Sequence, residues 1–177
     1  MNHPPKKPSH HTERSGVLNK KRKPAFRRNV HEKSCGVILY RTDHDQKEYL
    51  LLHYPGGHWD FPKGHVEKFD EGEQATALRE LKEETGIAEI IFTNAYREPM
   101  YYEFNRGFKE RVKKVVVYFL AKTKQVEVSI SFEHQNYKWL PYEEALETLT
   151  YENARDLLRK AEKHLLTEGE LTKKHEL

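Results

Sequence analysis

The chain is poor in cysteine. Cys35 is the one thiol among 177 residues, which excludes an internal disulfide and suits a reducing compartment, so a cytoplasmic location is expected. It lies in the apolar run Ser34-Cys35-Gly36-Val37-Ile38-Leu39-Tyr40, where a buried structural thiol fits better than a nucleophile. Long apolar runs are also missing. The longest, Val115 to Ala121, is far shorter than the roughly 20 residues a bilayer span needs, so no membrane partner is expected. The basic N-terminus has no apolar stretch and does not read as a secretory signal. Without such a signal, the closing Lys174-His175-Glu176-Leu177 is a chance likeness to a retention tail. The histidines show no Cys/His spacing of a zinc site, and no internal repeat is visible.

What is present is charge. Charged residues make up 33% of the chain against 36% hydrophobic, enough for one domain with a core plus polar tails. The formal net charge of +3 conceals an asymmetry. Nine basic residues against Glu13 alone give +8 up to Val30, which leaves −5 for the remainder. Residues 1–29 lack periodicity and read as a disordered basic arm. RNA contact and plain solubilisation are both open to such an arm.

Order is expected from about residue 30 to residue 166, with a polar tail over 167–177. Ser34–Tyr40 reads as a buried strand and Glu48–His53 as a second, paired with it as a hairpin. Pro55-Gly56-Gly57 and Pro62-Lys63-Gly64 are loop signals. A helix follows, with Asp70 as its cap, Glu73 as the reciprocal partner and Gly86 as its stop. Ala77, Leu78 and Leu81 form its packing stripe, leaving Glu80, Glu83 and Glu84 for solvent. Strand patterns recur over Glu89–Arg97, Met100–Phe104, Val112–Lys122 and Tyr137–Leu140. Two helices close the chain, Pro141–Leu149 and Tyr151 to about Leu166. Strands on both sides of a helix, with terminal helices, predict an α/β/α sandwich around a mixed β-sheet.

The chemistry concentrates in one stretch, Phe61-Pro62-Lys63-Gly64-His65-Val66-Glu67 running on to Arg79-Glu80-Leu81-Lys82-Glu83-Glu84-Thr85-Gly86-Ile87. Glu80, Glu83 and Glu84 stand at i, i+3 and i+4 and share one helix face. Like charges there repel by a few tenths (about 0.2–0.5) of a kcal/mol per pair. A hard divalent cation such as Mg²⁺ reverses that sign, being held by carboxylates together with substrate phosphates. On the carboxylates alone, a solvated acidic face is the simpler reading.

From Gly64 to Ile87 the sequence resembles the signature of the Nudix hydrolase family: a glycine, a spaced glutamate, then Arg-Glu-aliphatic-x-Glu-Glu-x-Gly-aliphatic. The segment Arg79–Ile87 matches it throughout. The Trp59–Glu67 loop, Lys114–Ala121 and Phe132-Glu133-His134-Gln135-Asn136-Tyr137-Lys138-Trp139-Leu140 are similar to the asymmetrically cleaving diadenosine tetraphosphate hydrolases of that family. The likeness covers about residues 31–166. One departure is an extra residue in the loop before the helix. Asp70, Glu71 and Glu73 are all left as counterparts of the family's isolated glutamate.

The resemblance implies a Nudix fold and a pyrophosphohydrolase using Mg²⁺, with Mn²⁺ as an alternative. It implies metal ligation by Glu80, Glu83, Glu84 and the backbone at Gly64. It gives Arg79 the part of positioning these glutamates. The proton acceptor is left among Glu83, Glu84 and Glu133. Lys63, Lys114, His58 and His65 are candidates for phosphate contact. Tyr101, Tyr102, Phe104 and Tyr137 are candidates for stacking an adenine, against the ordinary reading of strand aromatics as core or cross-strand pairs. The implied reaction is diadenosine tetraphosphate to ATP and AMP, by a monomer or homodimer acting on a nucleotide polyphosphate. Hydrolysis of RNA 5′-pyrophosphates, motivated by the basic arm, is the alternative within the fold. A non-catalytic nucleotide-binding module on the same scaffold is the alternative from a different functional class.

Overall fold

The computed structural model describes residues 28–107 and 110–175. The basic arm read over residues 1–29 lies, up to residue 27, outside the described residues.

The first strand, β1, runs Arg28–Asp43 and turns into β2, Gln46–His53, through His44 and Asp45, both with positive φ. They pair antiparallel, Tyr40 opposite Tyr49, as the hairpin expected. Two short strands follow, β3 (Trp59–Asp60) and β4 (Lys63–His65). The Pro62-Lys63-Gly64 segment is therefore part strand. It pairs with β1 through Ser34↔His65, Cys35↔Gly64 and Gly36↔Lys63. Local composition marks a loop there, whereas the pairing comes from a neighbour about 30 residues away in sequence.

Helix α1 spans Glu73–Thr85 and ends at Gly86 in the left-handed conformation. Its start differs from expectation. Gly72 is the N-cap and no side chain caps the helix, because Asp70 is engaged elsewhere. Beyond α1, β5 (Ile90–Arg106) is one strand where two were expected. Its partner β6, Glu110–Thr123, is continuous, and β5 pairs along it by a jump in register from Phe92↔Ala121 to Arg97↔Phe119. Ala95, inside the jump, takes a positive φ. The chain closes with β7 (Asn136–Pro141), α2 (Tyr142–Thr148) and α3 (Glu152–His175). Helix α3 runs beyond the expected end near Leu166 into the segment read as a polar tail.

The strands form one mixed sheet in the order β3-β2-β1-β6-β5, with β4 added to β1 and β7 to β2. The β1–β6 pairing is parallel, the others antiparallel. Alternate side chains of β6 point into two layers. Val116, Tyr118 and Leu120 pack with Ala145, Leu149, Ala154, Leu157, Leu158 and Ala161 of the α2–α3 region. Val117, Phe119 and Ala121 pack with Ala77, Leu81 and Ile87 of the α1 side. The α/β/α arrangement is thus the one the strand and helix patterns imply.

Gly36 sets the approach of the loop to this sheet. A Cβ on it would lie 2.6 Å from the Pro62 carbonyl, 2.7 Å from the Tyr118 ring and 2.8 Å from the Lys63 Cβ. Val37 N–H donates to that same Pro62 carbonyl at 3.0 Å. Gly36→Ala is expected to destabilise the protein by about 1–3 kcal/mol, the usual range for overpacking. The denaturant midpoint measures it, and an unchanged midpoint would show that the loop is not seated on β1 in this way.

Candidate active site

Arg79 joins the loop to the helix. Its Nε and Nη2 donate to the two oxygens of Asp70 at 2.9 and 2.9 Å, and Nη2 also donates to the His65 carbonyl at 2.8 Å. Its Nη1 donates to Glu80 at 2.9 Å and to Glu83 at 3.1 Å. The Phe69 ring lies 5.5 Å from the guanidinium. Asp70 accepts further bonds from the Glu67 N–H and the Thr76 hydroxyl, each at 2.8 Å. The extra loop residue thus resolves in favour of Asp70 as the internal carboxylate. Glu71 is exposed, and Glu73 pairs with Arg97 and Lys33 instead.

The three glutamates do not share one environment. Glu83 is exposed, Glu80 is half-buried and Glu84 is buried, 5% accessible. The solvent-facing helix face expected from the sequence holds for Glu83 alone, because β4 covers the other two. A Cβ on Gly64 would lie 1.9 Å from the Glu80 carboxyl, so this carboxylate occupies the space a side chain would fill. Glu84 Oε2 accepts the Lys63 backbone N–H at 2.9 Å. Burial pushes the Glu84 carboxyl up to about 8; the Lys63 charge and N–H oppose this, and the charges of Glu80 and Glu133 add to it. Burial also raises Glu80, against the pull of Arg79.

Behind Glu84 stands His134, buried, its Nε2 3.4 Å from Glu84 Oε1 and without a hydrogen bond. Burial lowers its imidazole to about 4, helped by the charges of Lys63 and His58. Both shifts oppose an ion pair between the two groups. Ser131 Oγ lies 3.2 Å from His134 Nδ1, and the Tyr54 ring meets the imidazole edge-on at 4.5 Å. Glu133 is exposed beside it.

On the other side of Lys63 is a cavity of about 400 Å³ lined by His58, Asp60, Lys63, Tyr102, Phe104 and Tyr151, among others. Lys63 Nζ pairs with Asp60 at 3.1 Å and sits 3.9 Å from the Tyr54 ring centroid. His58 stacks on Tyr54 at 4.7 Å and faces Tyr151 at 5.5 Å. Tyr102 and Phe104 stack at 6.1 Å. Lys114, opposite both Glu32 and Tyr102 in the sheet, is half-buried, which lowers its pKa.

These features bring together a carboxylate cluster, a lysine and an aromatic hollow, the parts needed to hold a nucleoside polyphosphate. A family model described as the NUDIX domain matches residues 30–161. The chain belongs to the Nudix hydrolase family. It is 35% identical over 145 residues to the Bis(5′-nucleosyl)-tetraphosphatase [asymmetrical] of Rattus norvegicus, covering 75% of this chain and 95% of that protein. With the enzyme of the same description from Caenorhabditis elegans it shares 38% over 133 residues, 72% of this chain and 92% of the other. The crystal structure of a C. elegans Ap4A hydrolase binary complex superposes with a TM-score of 0.68 at 35% identity, covering 77% of this chain and 98% of that one.

This Nudix protein is therefore a pyrophosphohydrolase of a nucleotide substrate, in a family that typically depends on Mg²⁺. The residues fit such an ion. Glu80 and Glu84 are desolvated oxygen donors, the first held against the Gly64 backbone and the second on the Lys63 N–H, and Mg²⁺ selects oxygen. Among the described residues no three such side chains already surround one point. The hydrogen bonds account for this: Arg79 draws Glu80 and Glu83 to itself, while Glu84 faces Lys63.

Of the residues singled out from the sequence, Arg79, Glu80, Glu83, Glu84, Gly64, Lys63 and Glu133 gather around this helix face. His58 and Tyr102 line the cavity. His65 contributes its carbonyl to Arg79, and its exposed ring lies 3.4 Å from Glu32. Tyr137 is not brought to the cavity. It packs in the α1-side layer and lines a separate hollow with Thr85, Gly86 and Ser129. Alternation along β7 sends it to that face. Tyr54, Asp60, His134 and Tyr151 were not singled out. For His134 the adjacent Glu133 was a usable signal, and for Tyr151 its place just before a helix hid it.

Arg79 holds the Asp70 carboxyl well below the ordinary carboxylate range, with help from the Glu67 N–H and Thr76 hydroxyl. A depressed folded-state pKa contributes stability that is complete above the unfolded value near pH ~4 and is lost as pH falls through the folded value. Asp70→Asn is expected to lower Tm at pH 7, with the gap to wild type narrowing as pH falls from about 4 towards 2. Thermal melts across this range check it, and a gap independent of pH would exclude the ionic contribution.

Proposed function

We propose that the protein hydrolyses diadenosine tetraphosphate asymmetrically, to ATP and AMP. The observation that carries this reading is the aromatic cavity opening on Lys63, whose backbone N–H is held by Glu84. A base seated there stands one residue from the carboxylate helix. The relatives described as asymmetrical tetraphosphatases support it over about three-quarters of the chain.

In this reading Tyr102 and Tyr151 flank a purine and His58 lines its edge. Lys63 and Lys114 neutralise phosphate oxygens as point charges. Mg²⁺ or Mn²⁺, held by Glu80, Glu83, Glu84 and the Gly64 backbone carbonyl, would supply Lewis-acid polarisation of the phosphoryl group. Arg79 fixes Glu80 and Glu83 relative to the loop, so that their oxygens are set before substrate arrives. Glu133, which makes no hydrogen bond or ion pair among the described residues, is the acceptor for the attacking water's proton. One water is consumed, one P–O–P bridge breaks, and ATP and AMP are the products. Reaction of this kind rests on positioning and charge neutralisation.

Product analysis with Mg²⁺ or Mn²⁺ on dinucleoside polyphosphates and 5′-triphosphate RNA tests the proposal. ATP and AMP in equal amounts are expected. Two ADP, or turnover confined to the RNA, would overturn it. Glu83→Gln and Glu84→Gln are each expected to lower kcat more than about 100-fold, beyond the usual loss for a mere supporting partner, with circular dichroism unchanged. Tyr102→Ala should raise KM about tenfold with kcat little altered, since base–aromatic stacking contributes ~1–3 kcal/mol; a fall in kcat alone would remove Tyr102 from the base site.

A further inference from the structure

A dinucleoside tetraphosphate has two bases, and the cavity beside Lys63 accommodates one. We propose that Phe132 is the platform for the second, the distal nucleoside. This inference rests on the dinucleotide reading above.

Phe132 is 97% accessible, the most exposed of the large hydrophobic side chains described. Single exposed apolar residues are ordinary on a surface, so exposure alone carries nothing. What distinguishes Phe132 is the turn that holds it. Ser129 N–H donates to the Thr85 carbonyl at 2.9 Å and Ser131 N–H to the Glu84 carbonyl at 3.0 Å. On the far side His134 N–H returns to the Ser131 carbonyl at 3.1 Å, and Gln135 N–H donates to the His53 carbonyl at 2.9 Å. The buried His134 ring, bonded to Ser131 Oγ, lies beneath. A turn fixed at both ends to the last carbonyls of α1 and to β2 thus holds Phe132 and Glu133 outward together.

The ring has no other task among the described residues. It belongs to neither core layer. Phe69, the other exposed phenylalanine beside the carboxylates, already lies against the Arg79 guanidinium. Phe132 is joined to the cavity by a short route through the site. The Lys63 ammonium lines the cavity, the Lys63 N–H meets the Glu84 carboxylate, and the Glu84 carbonyl meets Ser131, the residue before Phe132. The turn that carries Phe132 therefore adjoins the carboxylates, with His134 Nε2 3.4 Å from Glu84 Oε1. A polyphosphate running from a seated base across the carboxylates arrives at Phe132 with its distal nucleoside. Stacking there needs no base-specific hydrogen bond, so this end would be tolerant of base identity.

The test compares two ligands that share a base and a four-phosphate chain but differ in the distal nucleoside. They are diadenosine tetraphosphate and adenosine 5′-tetraphosphate, both methylene-bridged and non-hydrolysable. Calorimetry with Mg²⁺ gives Kd for full-length wild type, Phe132→Ala and Phe132→Trp. Phe132→Ala is expected to weaken the dinucleotide about tenfold and the mononucleotide less than about twofold, with Phe132→Trp restoring wild-type affinity. Equal weakening of both ligands would assign the turn a structural role and overturn the proposal. So would equal affinities in wild type and Phe132→Ala, or a wild type that does not prefer the dinucleotide. Product analysis on the wild type is read separately: release of two ADP removes the asymmetric cleavage, while the Kd comparison still decides Phe132.

Discussion

One guanidinium holds the site in shape. Arg79 directs its donors to Asp70, the His65 carbonyl, Glu80 and Glu83, and so connects a strand, a loop and a helix. The planar fork matters: Asp70 is engaged by two parallel bonds, which a lysine ammonium cannot reproduce. Three carboxylates arranged around one cation have their mutual repulsion offset before any ion arrives. The six residues between His65 and Gly72 contain no regular structure, and their ordering entropy must be met by these charge-assisted bonds. The loop's extra residue is accommodated because Asp70, rather than a residue on the helix, closes the bracket.

Two close approaches then bring backbone to carboxylate. At Gly36 the loop lies on β1, and at Gly64 the Glu80 carboxylate lies on the loop. Each needs the absence of a side chain. The result is a carboxylate pair, Glu80 and Glu84, partly removed from water, with Glu84 raised to about 8. Burial of this kind opposes folding, since an unpaired buried carboxylate is costly. The Lys63 N–H and ammonium offset part of it. The rest is a standing demand for positive charge at that point, which is the property a cation-dependent phosphoryl site requires.

The parts of this arrangement that are local in the chain are legible in it. The i, i+3, i+4 spacing of Glu80, Glu83 and Glu84, the packing stripe at Ala77 and Leu81 and the stop at Gly86 follow from helix geometry alone. The buried strands Ser34–Tyr40 and Val112–Lys122 and a mixed sheet follow from the apolar patterns, whereas the parallel β1–β6 pairing itself does not. What was not legible depends on contacts between distant segments. Asp70 resembles a helix cap until Arg79, nine residues on, takes its carboxylate. Glu84 looks solvent-facing until β4 is laid over it, and β4 looks like loop until β1 is beside it. Tyr151 reaches the cavity because α3 begins under the β5 end of the sheet, a fact of topology with no trace in local pattern.

In the proposed reaction, the position of the cut would follow from the same rigidity. All three bridges of a tetraphosphate chain are phosphoric anhydrides, so the bond type alone does not choose among them. A fixed distance does. The cavity is built from β3, β5 and the start of α3, the carboxylates from α1, and β4 ties both to β1 through the residue pair Lys63 and Gly64. Once a base is seated, the bridge presented to Glu80, Glu83 and Glu84 is set by the span between these elements, and none of them is free to slide along the sheet. Asymmetric cleavage of a symmetric substrate therefore needs no special catalytic group. It needs one base site, one carboxylate cluster and a frame stiff enough to keep them at one separation, and Arg79 and the two glycines supply that stiffness at the carboxylate end.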